Sequence, residues 1–353
     1  MLGSLPAENN QPIDAVVTWV DGSDPEFLKR MEPFLEGKDR STIPGAHPTR
    51  FASINEIRYC ILSILTFAPF VRKIFIVTAG QDPNLYNDIK KYFPERVDSI
   101  KIVDHSEIFR GFEQYLPVFN SRSIECMIWR INGLADQFIY FNDDTFLIRE
   151  TRPQDWFVNG RPVLRGKWIF LPAFRIIWKW TRIFIHKVLL KNKDYRPRPS
   201  FHVGQWLAAS LVGFKFRYLA FCHTPHAVSR KMAENFFFAN HHLLEKTISH
   251  RFRNHKQFNF LALSYHLEIL NGNSNIRKSG LLYLQPRGRA AGYFDRKIRI
   301  FGNNPDIKFL CVQSLEMCNR EEQEKIFKWL DGSLKLPELK MEIKENEWKL
   351  SAR

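Results

Sequence analysis

Short apolar runs alternate with helix-spaced segments over the first 150 residues of this 353-residue chain. Ile13-Asp14-Ala15-Val16-Val17-Thr18-Trp19-Val20 is β-branched and apolar and stops at Asp21-Gly22. From Asn55 to Phe67, Ile57, Ile61, Ile64 and Leu65 recur at helical spacing, and Ala68-Pro69 ends the run. Further strands are predicted at 73–78, 100–103 and 137–141, the last ending at Asn142-Asp143-Asp144. A helix is expected over Ser121 to Ile131 between the last two. Short buried strands separated by helices predict an α/β fold with a mainly parallel sheet. Later the pattern turns mostly helical, with runs at 205–211, 230–250 and 258–270 and a polar turn at 271–275.

The organisation read from this is a flexible stretch 1–12 and an α/β core 13–160. A basic, aromatic-rich insertion 161–203, a mostly helical remainder 204–335 and a charged tail 336–353 follow. With 44% hydrophobic residues the chain can bury a large core. The start lacks a basic, then apolar leader, and no run of about 20 apolar residues occurs, so neither a signal peptide nor a membrane span is expected. Five scattered cysteines show neither zinc-ligand nor disulfide spacing and read as reduced thiols of a cytosolic protein.

Two of the four strands end in acids, Asp21 with Asp24 and Asp143 with Asp144. In an open parallel sheet, ligands bind outside the carboxyl ends of the strands. Clustered carboxylates there repel one another unless a cation sits between them, and Mg2+ or Mn2+ can at once hold a diphosphate. The plainer reading makes Asp-Gly a turn and Asn-Asp-Asp a cap.

At these residues the chain resembles the Stealth family, whose members transfer sugar-1-phosphates. That family includes bacterial capsular polysaccharide phosphotransferases and the eukaryotic enzyme that begins the mannose-6-phosphate tag. Its first block looks like residues 13–25. Its second is matched by Asn55-Glu56-Ile57-Arg58-Tyr59, by 71–81, by Phe119-Asn120-Ser121-Arg122-Ser123-Ile124-Glu125, by 130–134 and by Tyr140 to Leu147. The third resembles His223-Thr224-Pro225-His226 with Arg230 and Glu234 following. In the fourth, members commonly carry an Asn-Asp pair. This chain reads Leu310-Cys311-Val312-Gln313-Ser314, so no site residue is assigned there.

The resemblance implies a fold like that of nucleotide-sugar transferases of the GT-A type. It also implies attack of a sugar hydroxyl on the β-phosphate of a nucleotide-diphosphate sugar, with release of a nucleoside monophosphate. The acceptor would be a growing capsular or exopolysaccharide chain. Asp143 and Asp144 are the candidate ligands for Mg2+ or Mn2+. Asp21, Asp24, His223 and His226 are the candidate catalytic groups, the Thr-Pro turn being able to aim both imidazoles the same way. Arg58, Arg122, Arg130 and Arg230 are candidate substrate ligands, since guanidinium binds phosphate bidentately. Asn120, Ser121 and Glu125, at the start of a helix, join them. The same cleft would serve a metal-dependent glycosyltransferase that releases a nucleoside diphosphate.

The net charge of +15 is concentrated: residues 161–203 hold six Arg and five Lys against one Asp, a net +10 in 43 residues. From Trp168 to Leu190, Arg175, Lys179, Arg182 and His186 recur every three or four positions among Trp, Phe and Ile. Such a helix suits an anionic membrane surface, or a groove for an acidic polysaccharide. No nucleic-acid motif accompanies the charge. The expected location is therefore peripheral, on the inner face of a bacterial cell membrane. A non-catalytic protein that binds polyanions or membranes is the rival from another class.

Overall fold

The computed structural model describes residues 11–43, 45–192, 195–286, 288–290 and 292–334. Most of the expected flexible stretch 1–12 and all of the charged tail 336–353 lie outside the described residues.

The first half begins with β1 (Ile13–Thr18), α1 (Pro25–Met31), α2 (Glu56–Phe67), β2 (Val71–Thr78) and β3 (Ile100–Asp104). It continues through α3 (Ser121–Glu125), β4 (Gln137–Asn142) and β5 (Thr145–Leu147). The insertion contributes β6 (Lys167–Phe170) and α4 (Ala173–Phe184). Then come α5 (Phe201–Leu211), β7 (Arg217–Ala220), β8 (His226–Ser229), α6 (Arg230–Ala239), α7 (His241–Ile248) and α8 (Phe260–Leu270). Last are β9 (Leu281–Leu284), β10 (Phe309–Val312) and α9 (Arg320–Leu334).

The central sheet runs β8-β4-β1-β2-β3, parallel except for β8, which is antiparallel to β4. Both faces are covered. Ile13, Ala15 and Val17 of β1 pack into one core with Ile74, Ile76, Ile139 and α2. Val16, Phe75, Val77, Phe138 and Tyr140 point the other way, into a second core with α6 and α8. That period of two, apolar on each side, is why these strands read as continuous hydrophobic runs. A smaller sheet, β9-β10-β5, lies beside the first core.

The α/β class with a mainly parallel sheet is what the strand pattern predicts. The expected helix over 121–131 is shorter. It ends at Glu125, and Ile128–Arg130 forms a separate 3-10 turn. The expected 230–250 helix breaks at Asn240, whose φ of −129° and ψ of 46° are not helical. Strands β9 and β10 lie in the part expected to be mostly helical. Among the described residues no helix is long and apolar enough to cross a membrane.

Candidate functional site

The carboxyl ends of β1 and β4 open into a cleft of about 730 Å³. Its wall is built by Thr18-Trp19-Val20, by Asn142-Asp143-Asp144, by the segment that carries Arg50 and Phe51, and by Glu56 at the start of α2. Asn120-Ser121, Arg198, His223, Arg253 and the stretch after β10 (Val312 to Ser314, and Glu316) complete it. The turn Asp21-Gly22 holds the Arg50 loop in place: Gly22 N–H donates to Phe51 O at 2.7 Å, and a Cβ at Gly22 would overlap Phe51.

One side of the cleft is acidic. Burial, then Asp144 and Glu56, push Asp143 well above the usual carboxylate range. Asp144 is pushed up to about 6, chiefly by burial, with Glu316 adding to it and the Cys311 thiol opposing. Glu56 is raised to about 7 by burial, with Asp144 and Glu316 contributing, although Ile54 N–H donates to it at 2.6 Å. Burial first, and like charge second, disfavours ionising these carboxylates together.

The other side is basic. Arg50 is lowered to about 10 by burial and by the neighbouring guanidinium groups of Arg253 and Arg198. Arg253 donates to Ser121 Oγ, and the buried carboxyl of Glu125 lies behind it, raised by burial but drawn down by Arg253 and Arg122. Phe119 N–H bonds Arg251 O at 2.8 Å, which brings the loop carrying Arg253 to the start of α3. His223 stacks on Phe201 at 4.6 Å. It is held below the ordinary histidine value by burial, Arg253 and His202.

The expected site residues are thus divided. Asp143, Asp144, Asn120, Ser121 and His223 line this cleft. Asn120 does so as a cap, its amide also donating to His250 O and Gln257 Oε1, each at 2.9 Å. Asp21 and Asp24 are not among the residues lining it. Asp21 Oδ1 accepts from Ser23 N and Oγ, at 2.8 and 2.6 Å. Asp24 caps α1 through Glu26 N, and Gln81 Nε2 donates to its other oxygen at 2.7 Å. Both serve the turn after β1.

Five more of the expected residues lie outside the lining of this cleft. His226 is buried in β8, its Nδ1 2.8 Å from Tyr265 Oη, and although His223 stands near enough to act on it, His226 is not among the residues lining the cleft. Arg58 forks onto Asp88 at 2.8 and 3.1 Å. Arg122 is buried and donates to Gln257 O and Ser200 O, each at 2.9 Å. Arg130 and Arg230 line a second cavity, of about 510 Å³. There Arg130 donates to Ile108 O and Arg110 O, and Arg230 pairs with Glu234 at 3.0 Å. Arg230 N–H bonds Asp136 O, at the opposite end of β4 from Asp143, roughly 20 Å away by strand rise.

The groups not expected are Glu56, Glu316, Arg50, Arg198 and Arg253. Glu56 sits inside the second block beside Arg58 and was readable there. Arg50, Arg253 and Glu316 come from loops with no local pattern. The departing fourth stretch also belongs to the cleft, since Val312 N–H bonds Asp144 O at 3.0 Å and Gln313 and Ser314 line the wall.

A metal can be tested against this donor set. Among the described residues, no three His, Cys, Asp or Glu side chains converge as a closed metal cage. Mg2+ does not need one, because it is commonly held by one or two carboxylates, waters and substrate phosphates. The adjacent, mutually repelling Asp143 and Asp144 fit such an open site.

Comparison with known proteins agrees on lineage. Residues 11–39 match Stealth conserved region 1 and residues 50–163 match Stealth conserved region 2. An exopolysaccharide phosphotransferase of Streptomyces coelicolor is 32% identical over 77% of this chain and 41% of its own length. A capsular polysaccharide phosphotransferase of Neisseria meningitidis serogroup B is 39% identical over 43% of this chain and 39% of its own. The chain therefore spans about two fifths of the length of these relatives. Among solved structures, the galactosyltransferase LgtC in complex with donor and acceptor sugar analogues aligns over 95% of this chain and 99% of its own. The TM-score is 0.41 at 12% identity, a distant likeness. With two conserved regions matched in order, and with relatives at this identity, the chain carries Stealth conserved regions 1 and 2 and is similar to the family's phosphotransferases.

Proposed function

We propose that this chain transfers a sugar-1-phosphate from a nucleotide-diphosphate sugar to a hydroxyl of a capsular or exopolysaccharide chain. The observation that carries the reading is the pairing of two walls in one cleft, carboxylates facing guanidinium groups at the carboxyl edge of a parallel sheet. A diphosphate with its metal matches that polarity from both sides. The names of the relatives from Streptomyces coelicolor and Neisseria meningitidis favour phosphoryl over glycosyl transfer.

Asp143 and Asp144 would hold Mg2+ or Mn2+, which when bound neutralises charge on the diphosphate. Arg50, Arg198 and Arg253 would bind the phosphate oxygens from the other side. Ser121 and Glu125 keep the Arg253 guanidinium in position. The acceptor oxygen forms a bond to the β-phosphorus, the bond from that phosphorus to the bridging oxygen breaks, and the nucleoside monophosphate leaves with the electron pair. His223 takes the acceptor proton. Its depressed basicity keeps it neutral near pH 7, the form a general base needs. We place the reaction at the inner face of a bacterial membrane, where such a polymer would be extended.

A donor panel with acceptor oligosaccharides tests this. Turnover is expected to vanish with EDTA and return with Mg2+ or Mn2+. Turnover indifferent to chelation would contradict the role given to Asp143 and Asp144. Replacing His223 with glutamine is expected to lower turnover about a hundredfold and, at saturating metal, to change the acid limb of the rate profile, to which His223 contributes below the ordinary histidine value. An unchanged acid limb would assign the proton to another group.

A further inference from the structure

From the surface outside the cleft, we infer that α4 and the tip of the β6–β7 pair form a docking ridge for an anionic lipid leaflet. Of the eighteen large hydrophobic side chains that are exposed among the described residues, ten lie between Phe170 and Leu190. A soluble surface seldom gathers apolar side chains in this way unless something covers them. Helix α4 rests on the body through half-buried Ile176, Lys179 and Ile183. It turns Phe174, Ile177 and Trp178 outward at 79%, 64% and 55% exposure. Leu171 N–H bonds Phe216 O at 2.8 Å, which sets Phe216 (75% exposed) beside Phe170 (81%) at the base of the ridge.

The ridge is edged with positive charge. Arg175 and Arg182 lie along one flank of α4, and Lys179 and Lys187 stand close enough to His255 to add, with Lys256, to the depression that burial chiefly causes. Between Asp155 and Glu234 the sequence has fifteen Lys and Arg against the single Asp194. A polyanionic polymer would account for the charge but not for the Trp and Phe ridge. An apolar protein partner would account for the ridge but not for the charge. A leaflet of anionic phospholipid accounts for both, with rings among the acyl chains and cations at the phosphates. Sequence periodicity places the bases on one face and the aromatics on the other. In the structure the outermost face is the aromatic one, and the bases sit at its edge. His186 stacks on Tyr195 at 3.9 Å, three residues before Arg198 of the cleft wall, so a docked α4 holds the cleft close to the leaflet.

This deepens the membrane placement proposed above but stands on the surface alone. The test is co-sedimentation of the full chain with phosphatidylcholine vesicles, with and without phosphatidylglycerol, alongside turnover on soluble donor and acceptor. The wild type is expected to bind only the vesicles containing phosphatidylglycerol. Two double variants, Phe174→Ser with Trp178→Ser and Arg175→Glu with Arg182→Glu, are expected to weaken binding about tenfold or more, with soluble turnover and circular dichroism unchanged. Failure of the wild type to bind, or full binding by both variants, overturns the inference. So does loss, in the variants, of binding to free phosphodiester-linked polysaccharide but not to vesicles. A wild type that binds vesicles yet shows no turnover with any donor sinks the proposed reaction while supporting the ridge.

Discussion

Replacing Asp143 with asparagine is expected to lower turnover about a thousandfold while leaving the metal-free fold at least as stable as before. The two effects have opposite signs for one reason. Burial, Asp144 and Glu56 all disfavour charge on Asp143 when no cation balances it. Removing its charge relieves that repulsion, so unfolding should require equal or more denaturant. Catalysis, however, uses the unfavourable charge to draw in a cation and its diphosphate. Asp144→Asn should behave alike, tempered by the bond that Cys311 Sγ makes to Asp144 Oδ2 at 3.7 Å. The measurements are kcat with saturating metal and denaturant unfolding in EDTA. Near wild-type turnover in the Asp143 variant would remove the acidic wall from the mechanism.

The largest effect on stability is expected at Asp14, a carboxylate of the first block, 13–25, that is not among the residues lining the cleft. It is wholly buried in β1 and receives Arg72 Nε and a terminal guanidinium nitrogen at 2.9 and 2.7 Å. Lys73 N–H and Ala135 N–H also donate to it, at 3.2 and 2.7 Å. One side chain therefore ties β1 to β2 and to the turn before β4. Asp14→Ala leaves the Lys73 and Ala135 N–H groups without their acceptor, while the half-exposed Arg72 keeps only Gly133 O, at a cost of about 2–4 kcal/mol. Asp14→Asn keeps one acceptor oxygen and should recover part of that. Urea unfolding of the two variants checks the order. A loss below about 1 kcal/mol for Asp14→Ala would show that the sheet is held without this network.

How much of this was legible follows from the range of each interaction. The strands were readable because their side chains alternate between two apolar cores, which leaves continuous β-branched runs in the sequence. Asp143 and Asp144 were readable because they directly end such a run. Residues whose role depends on distant loops were not. Arg253 reaches the cleft only because the chain near Arg251 pairs beside Phe119, a separation no local pattern encodes. Arg58 and Arg122 looked like phosphate ligands in sequence, yet Asp88 takes the first and the carbonyls of Gln257 and Ser200 take the second. His226 shares a motif with His223, but the alternation of β8 turns its ring inward to Tyr265.

The same cleft geometry could pass either a sugar or a sugar with its phosphate, so the bond that breaks is the point to measure. The direct measurement uses a nucleotide-diphosphate sugar labelled at the β-phosphorus, incubated with the purified chain, Mg2+ and an acceptor saccharide. The account predicts that the label enters the saccharide as a phosphodiester and that unlabelled nucleoside monophosphate is released. Label recovered in a nucleoside diphosphate, with an unlabelled saccharide product, would contradict it.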